Sequence, residues 1–190
     1  MSWTPPPAGD HTRDLWVTTF LKVPAIQFWS DFMVWDRLLT AHPELRSLVE
    51  LGTGQGGTSL YLLLQCIQRG MTFDTFDTAP AWACDTPVGK LAMLGQHFHC
   101  GSYLDALRPL LERILDNGPH PLLLFCDGGD KPRDFQMFAP LLKAGDLIAV
   151  HDFGGEFSEP DTDPVKALVE AIFEVERLQV GSRTGFYRRI

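Results

Sequence analysis

Ser47 to Leu64 reads S-L-V-E-L-G-T-G-Q-G-G-T-S-L-Y-L-L-L. A short apolar run ends at Glu50, glycines follow at 52, 54, 56 and 57, and Thr58-Ser59 open a second apolar run of helical length. The pattern predicts a strand, a tight glycine loop and a helix. Glycine has no Cβ and accepts positive φ, so the loop backbone can approach a ligand closely. The first turn of the helix adds unpaired N–H groups. The stretch therefore predicts a nucleotide-type site on an α/β sheet.

Two cofactors compete for such a loop. Gly52, Gly54 and Gly57 satisfy the dinucleotide fingerprint G-x-G-x-x-G, which favours a nicotinamide cofactor when strand and helix flank it. Glu50 points the other way: a carboxylate two residues before the first glycine repels a pyrophosphate and attracts a ligand bearing an ammonium and a sulfonium. S-adenosyl-L-methionine is such a ligand. A carboxylate that only caps local backbone N–H groups is the third reading of Glu50.

Outside this stretch, the composition bounds the answer. A chain of 190 residues, 45% hydrophobic and 21% charged, has the size and balance of one soluble domain with a proper core. Its net charge of -8, with no offsetting run of Lys and Arg, argues against nucleic acid as partner. Apolar stretches fall short of the ~20 residues that span a bilayer, and no signal-peptide pattern opens the chain, so a cytoplasmic protein without membrane association is expected. Cys66, Cys84, Cys100 and Cys126 are widely spaced without a C-x-x-C pair and read as small core residues.

Residues 1–22, with Pro5, Pro6 and Pro7 in a row, read as a flexible Pro-rich tail ahead of a single domain at 23–190. From Ala25 to Thr40, Phe28, Trp29, Phe32, Trp35 and Leu39 recur at helical spacing, with Val23-Pro24 and Gln27 in reach of a ligand. Met71 to Phe76 is the second strand. Asp77 at its end, about 20 residues beyond the glycine loop, suits the ribose hydroxyls of either adenosine cofactor, and the competing Asp74 points elsewhere by alternation. Val88 to Leu94 reads as a short helix, and His97 to Cys100 as a short third strand. His97 and His99 share a face there, as a satisfied pair or as metal ligands. Ser102 in the following loop is a candidate adenine contact, and a helix is expected from Tyr103 to Leu115.

Pro121 to Phe153 is the second informative stretch. Leu122 to Cys126 is a continuous apolar run, as expected of a parallel strand buried on both faces, and ends in Asp127. Leu147 to Val150 repeats the design and ends in His151-Asp152. Ligands of open α/β sheets bind beyond the carboxyl ends of the strands, so Glu50, Asp77, Asp127, His151 and Asp152 should converge on one rim. Asp127 and Asp152 offer hard oxygen ligands for Mg²⁺, and His151 offers a ligand or a general base. The alternative is Asp127 beside the cofactor and His151-Asp152 as a hydrogen-bonded strand terminus. Asp130 precedes Pro132 and a helical pattern, so it reads as an N-cap rather than a further ligand. Lys143 and Gly145 would close that helix. Gly154 to Thr162 is either a lid or a plain connection. Asp163-Pro164 would cap a helix from Val165 to Glu176, and Leu178–Val180 with Thr184–Ile190 would form a closing antiparallel hairpin.

With these pieces in hand, the chain resembles the class I methyltransferases, in the branch of cephalosporin hydroxylase-like and rhamnosyl O-methyltransferase-like proteins. The resemblance rests on V-P-A-I-Q with Asp31, on E-L-G-T-G-Q-G-G-T-S, and on D-G-G-D…F-A-P-L-L-K-A-G-D-L-I-A-V-H-D, covering most of residues 23 to 153. It implies a Rossmann-like, doubly wound, mostly parallel seven-stranded α/β sheet. It also implies S-adenosyl-L-methionine as methyl donor and, as in several members, Mg²⁺ at positions matching Asp127 and Asp152. Asp130 stands where the branch has His, and Asp146 replaces the second glycine of G-G. The expected activity is O-methylation of a small hydroxylated acceptor, a sugar or natural product, by in-line displacement. Cofactor contacts would come from Glu50, Gly52, Thr53, Gly54, Gly56, Thr58, Asp77, Ser102 and Asp127, and catalysis from His151, Asp127 and Asp152. An NAD(P)-dependent oxidoreductase, a non-catalytic S-adenosylmethionine-binding protein and a homo-oligomer sharing its acceptor site remain open from sequence.

Overall fold

The structure is a computed structural model that describes residues 18–25, 27–78 and 93–190. Cys84 and most of the short helix expected at 88–94 lie outside the described residues. Two strands, β1 (Thr18–Phe20) and β2 (Val23–Ala25), pair antiparallel through a turn at Leu21-Lys22. This hairpin falls partly in the stretch read as tail. Helix α1 (Trp29–Ala41) therefore starts later than Ala25, where the Asp31 carboxylate accepts the Phe28 N–H at 3.0 Å.

The main sheet contains β3 (Ser47–Leu51), β4 (Thr72–Asp77), β5 (Phe98–Cys100), β6 (Leu122–Cys126), β7 (Leu147–Val150), β8 (Val169–Ile172) and β9 (Gly185–Arg189). Its order is β5-β4-β3-β6-β7-β9-β8, with β9 antiparallel to both its neighbours and the remaining pairs parallel. The first five strands are connected by parallel crossovers that include α2 (Gly57–Arg69), α3 (Arg108–Asn117) and α4 (Lys131–Phe138). Alternation along the central strands divides the core in two. Leu123, Phe125, Leu147 and Ala149 pack with Trp35, Leu38, Leu62 and Cys66 on the side of α1 and α2. Leu122, Leu124, Cys126, Ile148 and Val150 pack with Leu111, Leu115, Phe135 and Phe138 on the side of α3 and α4. Two faces carrying apolar residues in strict alternation are the signature of a doubly wound sheet.

Several expected boundaries move for identifiable reasons. The helix expected from Tyr103 begins at Arg108, because Pro109 belongs in a first turn and its ring would clash further in. Helix α4 ends at Phe138 and tightens into a 3₁₀ turn at Ala139–Leu141, where Pro140 has no N–H to continue it. The largest difference is at the end of the chain. Val169–Ile172 is a strand rather than helix, Leu178–Val180 belongs to α5 (Glu174–Val180), and the closing antiparallel pair is β8 with β9. Apolar residues at 165, 168, 169 and 172 fit a helical period, but backbone pairing with β9 overrides it. Cys66 and Cys126 are buried as expected, whereas Cys100 is exposed at the edge strand.

Candidate active site

The carboxyl ends of β3, β4, β6 and β7 end at one level, because the backbone ladder continues past each strand. Gly52 N–H donates to Phe76 O (2.9 Å), Asp127 N–H to Leu51 O (2.8 Å) and His151 N–H to Cys126 O (3.1 Å). Asp77, Asp127 and His151-Asp152 are thereby set around a cavity of about 490 Å³. The glycine loop forms one wall. At Gly52, φ is +100° and a Cβ would stand 2.5 Å from the Asp127 carbonyl, so no other residue fits between β3 and β6. At Gly57 a Cβ would meet the Pro24 carbonyl at 2.4 Å, which is how the β1–β2 hairpin seats on the start of α2.

Of the residues expected to bind the cofactor, Gly52, Thr53, Gly54, Gly56, Thr58, Asp77 and Asp127 line the cavity, as do His151 and Asp152. Two do not. Tyr103, next in sequence to Ser102, takes the wall position after β5, and Glu50 lies beneath the glycine loop. Asp77 accepts the Gly54 N–H at 2.8 Å, while Asp74 pairs with His99 at 2.7 Å on β5 and is turned away. His97 bonds the Phe73 carbonyl at 2.9 Å, so the two histidines are separately engaged.

Glu50 is fully buried at 0% exposure. Its Oε2 accepts from Thr75 Oγ1 at 2.6 Å, and Thr75 Oγ1 lies 2.6 Å from Thr53 Oγ1. Its Oε1 has no hydrogen-bond partner among the described residues. Burial pushes its carboxyl up to about 8, with the negative charges of Asp127 and Asp77 adding to the effect. Glu50 therefore stands beneath the glycine loop as a largely protonated carboxyl that a cationic ligand would ionise, rather than in the direct contact that sequence suggested.

On the opposite wall, His151 is enclosed by carboxylates. Its Nδ1 lies 3.1 Å from Asp127 Oδ1 and 3.4 Å from Asp152 Oδ2, and its Nε2 lies 3.6 Å from Asp31 Oδ2. Burial opposes its charge, yet Asp127, Asp152 and Asp31 outweigh that and push it up to about 12. These carboxylates favour the protonated ring, with Nδ1 facing Asp127 and Asp152. Burial raises Asp127, whereas Asp152 is held well below the usual range by the His151 hydrogen bond and by Lys131. Asp152 itself adopts φ +57°, a left-handed backbone rarely used outside glycine and held here by these contacts.

Three further side chains pack into this wall, and the sequence assigns none of them a definite role. Lys131, only 5% exposed, brings its Nζ to 3.1 Å from Asp152 Oδ2, 2.7 Å from Glu156 Oε2 and 3.9 Å from Asp127 Oδ1. Its signal was the spacing Asp127 to Lys131, one helical turn across the start of α4. Asp31 accepts from Ser182 Oγ (2.6 Å), Arg183 N (2.9 Å) and Thr184 Oγ1 (3.1 Å), and so ties α1 and the segment before β9 to His151. Gln27, noted only as within reach of a ligand, is 2% exposed. It donates to Asp127 Oδ2 at 2.8 Å and leaves its own Oε1 without a partner among the described residues. Asp130 is the N-cap expected of it, accepting the Arg133 N–H at 3.2 Å.

Comparison with solved structures places this architecture. An apo structure of CmcI matches with TM-score 0.68 at 17% identity, over 99% of this chain and 90% of that one. CmcI with Mg-SAM matches with TM-score 0.64 at 17% identity over the same shares. The O-methyltransferase TomG from Streptomyces achromogenes, involved in tomaymycin synthesis and in complex with SAM, matches with TM-score 0.52 at 19% identity, over 86% and 79%. This is the class I methyltransferase fold. No family model and no curated protein matches the sequence itself. Within the methyltransferase fold, the cavity sits at the reversal of strand order between β3 and β6, where such sheets bind ligands. Among the described residues no helix is long and apolar enough to cross a membrane.

Asp127, His151 and Asp152 present ligand atoms that all lie within 4.8 Å of one another. Two hard carboxylate oxygens at the cavity wall suit Mg²⁺, which takes one or two carboxylates and keeps its remaining waters. The cavity suits S-adenosylmethionine as well. Gln27 Oε1, a buried acceptor at its wall with no hydrogen-bond partner among the described residues, calls for a donor on the ligand.

Proposed function

We propose that the protein is an S-adenosylmethionine-dependent O-methyltransferase acting on a small hydroxylated acceptor, with Mg²⁺ held by Asp127 and Asp152. The observation that carries this reading is the charge of the pocket. Asp77 is bonded to the glycine loop, whose backbone approach suits a nucleoside, and its carboxylate there opposes a pyrophosphate, while Asp127 and Asp152 on the opposite wall are matched by Lys131 and His151. A nicotinamide cofactor is disfavoured on the same ground.

In this reading Asp77 receives the ribose hydroxyls, and the loop from Gly52 to Gly56 carries the cofactor's backbone-contacting portion. S-adenosylmethionine supplies a methyl group on a sulfonium sulfur, and Mg²⁺ supplies a Lewis acid for the acceptor hydroxyl. The rest is done by side chains. Gln27 fixes one oxygen of Asp127 and His151 faces the other. Asp127 and Asp152 would hold the metal together, Asp152 being kept ionised by His151 and Lys131, and the acceptor's proton leaves to water. Pro24, Ala25 and Phe28 from the hairpin and the residues after it form an apolar wall that excludes water from the transfer. Rate enhancement then comes from alignment of oxygen and methyl group in a fixed electrostatic frame.

Titration calorimetry with S-adenosylmethionine and with NADH tests the cofactor. Turnover of the methyl donor against a panel of hydroxylated metabolites, with and without Mg²⁺, tests the reaction. Heat with NADH and none with S-adenosylmethionine would overturn the reading.

A further inference from the structure

Lys131 stands where a divalent cation would be expected to draw its ligands together. Its side chain is buried, and its ammonium is 3.1 Å from Asp152 and 3.9 Å from Asp127, the two carboxylates assigned to the metal. It also touches the Gly128 carbonyl at 3.2 Å and the Glu156 carboxylate at 2.7 Å. Glu156 is on the loop after β7, and its side chain is 64% exposed, so it can hold the ammonium outside the pair of metal carboxylates. A lysine in this position is a point charge on a flexible stem, able to change partners without moving the backbone.

We propose that Lys131 is a tethered competitor of the divalent cation. Its ammonium, beside His151, neutralises Asp152 and Asp127 in the metal-free protein, and the metal is admitted only as the lysine lets go of that pair and keeps Glu156 alone. This inference rests on the proposed Mg²⁺ site and adds a mechanism that sets its affinity. Two like charges cannot share one pair of carboxylates in a site of low dielectric without strong repulsion, so lysine and metal exclude each other. Glu156 decides how readily the lysine leaves, because it is the partner the ammonium keeps.

The test is direct binding of Mn²⁺ as the Mg²⁺ surrogate to the full-length, EDTA-treated chain, followed by electron paramagnetic resonance of free Mn²⁺. Lys131→Met should bind about tenfold tighter or better than wild type, since a unit charge a few ångströms from the ligands is removed. Glu156→Gln, at an exposed side chain that leaves the fold intact, should bind about two- to fivefold weaker, because the lysine then stays on Asp152. Asp127→Asn should abolish binding in all backgrounds and so marks the site. If Lys131→Met binds no tighter than wild type while Asp127→Asn loses binding, or if Glu156→Gln binds tighter, the competition is refuted and the metal site stands. If neither wild type nor Lys131→Met binds Mn²⁺ at millimolar concentration, the metal site falls and the inference with it.

Discussion

Replacing Glu50 by Gln should make the ligand-free protein more stable and the liganded protein less so. The carboxyl is fully buried, with Ser59 and Thr75 as its hydrogen-bonding neighbours, and burial pushes its pKa up to about 8 from an ordinary 4.5. Between those values the folded protein keeps a proton that the unfolded chain has released, so stability is withdrawn as pH rises from about 4.5 through about 8. Each pH unit of that window is worth about 1.4 kcal/mol, which sets a ceiling of about 5 kcal/mol above pH 8. The amide that replaces the carboxyl does not titrate and carries no such dependence. Wild type and Glu50→Gln should therefore melt together near pH 5, and the variant should melt higher at pH 8.5, by about 2–4 °C per kcal/mol for a domain of this size. S-adenosylmethionine should reverse the order, because the sulfonium and ammonium are met by a neutral amide. A tenfold to hundredfold loss of affinity is expected for the lost charge. Below pH 8, binding to wild type should also release a proton, visible as a calorimetric heat that varies with the ionisation enthalpy of the buffer. Denaturation curves of the two proteins that keep the same separation from pH 5 to pH 9 would refute the argument.

Asp77→Ala should weaken S-adenosylmethionine by about 1.5–3 kcal/mol through the loss of charge-assisted bonds to the ribose, with calorimetry as the measure and unchanged affinity as the adverse result. Gly52→Ala should cost about 2–4 kcal/mol of stability, since it combines φ +100° with a Cβ 2.5 Å from the Asp127 backbone, and a melting temperature equal to wild type would contradict it. Stripping divalent ions with EDTA should lower turnover, and Mg²⁺ should restore it. Turnover that survives EDTA removes the metal from the roles of Asp127 and Asp152.

The glycine loop, the central strands and the ends of those strands were legible in the sequence because each is written in a local pattern. The run from Leu122 to Cys126 is apolar without interruption, and only a strand covered on both faces uses such a run. Asp127 and Asp152 follow such runs closely, so a rule about strand ends was enough to bring them to one rim. The expected antiparallel closure of the sheet is present too, but through β8 rather than the segment first assigned to it. At 165–172 the apolar spacing serves either a helix or a strand, and long-range pairing with β9 made the choice.

What the sequence alone determined is the α/β order, the glycine loop and the set of acidic residues at the sheet's edge, since these depend on side-chain type and short spacing. Tertiary structure alone decided how those acids are used. Glu50 went under the loop rather than into the cavity, because β4 supplies Thr75 beside it. His151 is drawn towards the charged form chiefly by Asp127 and then Asp152, with Asp31 from α1 facing its other ring nitrogen. Lys131 entered the carboxylate cluster because α4 starts on the rim and turns its first residue back over it. A charge takes its pKa and its partner from neighbours a few ångströms away, and those neighbours come from strands and helices that only the folded chain brings together.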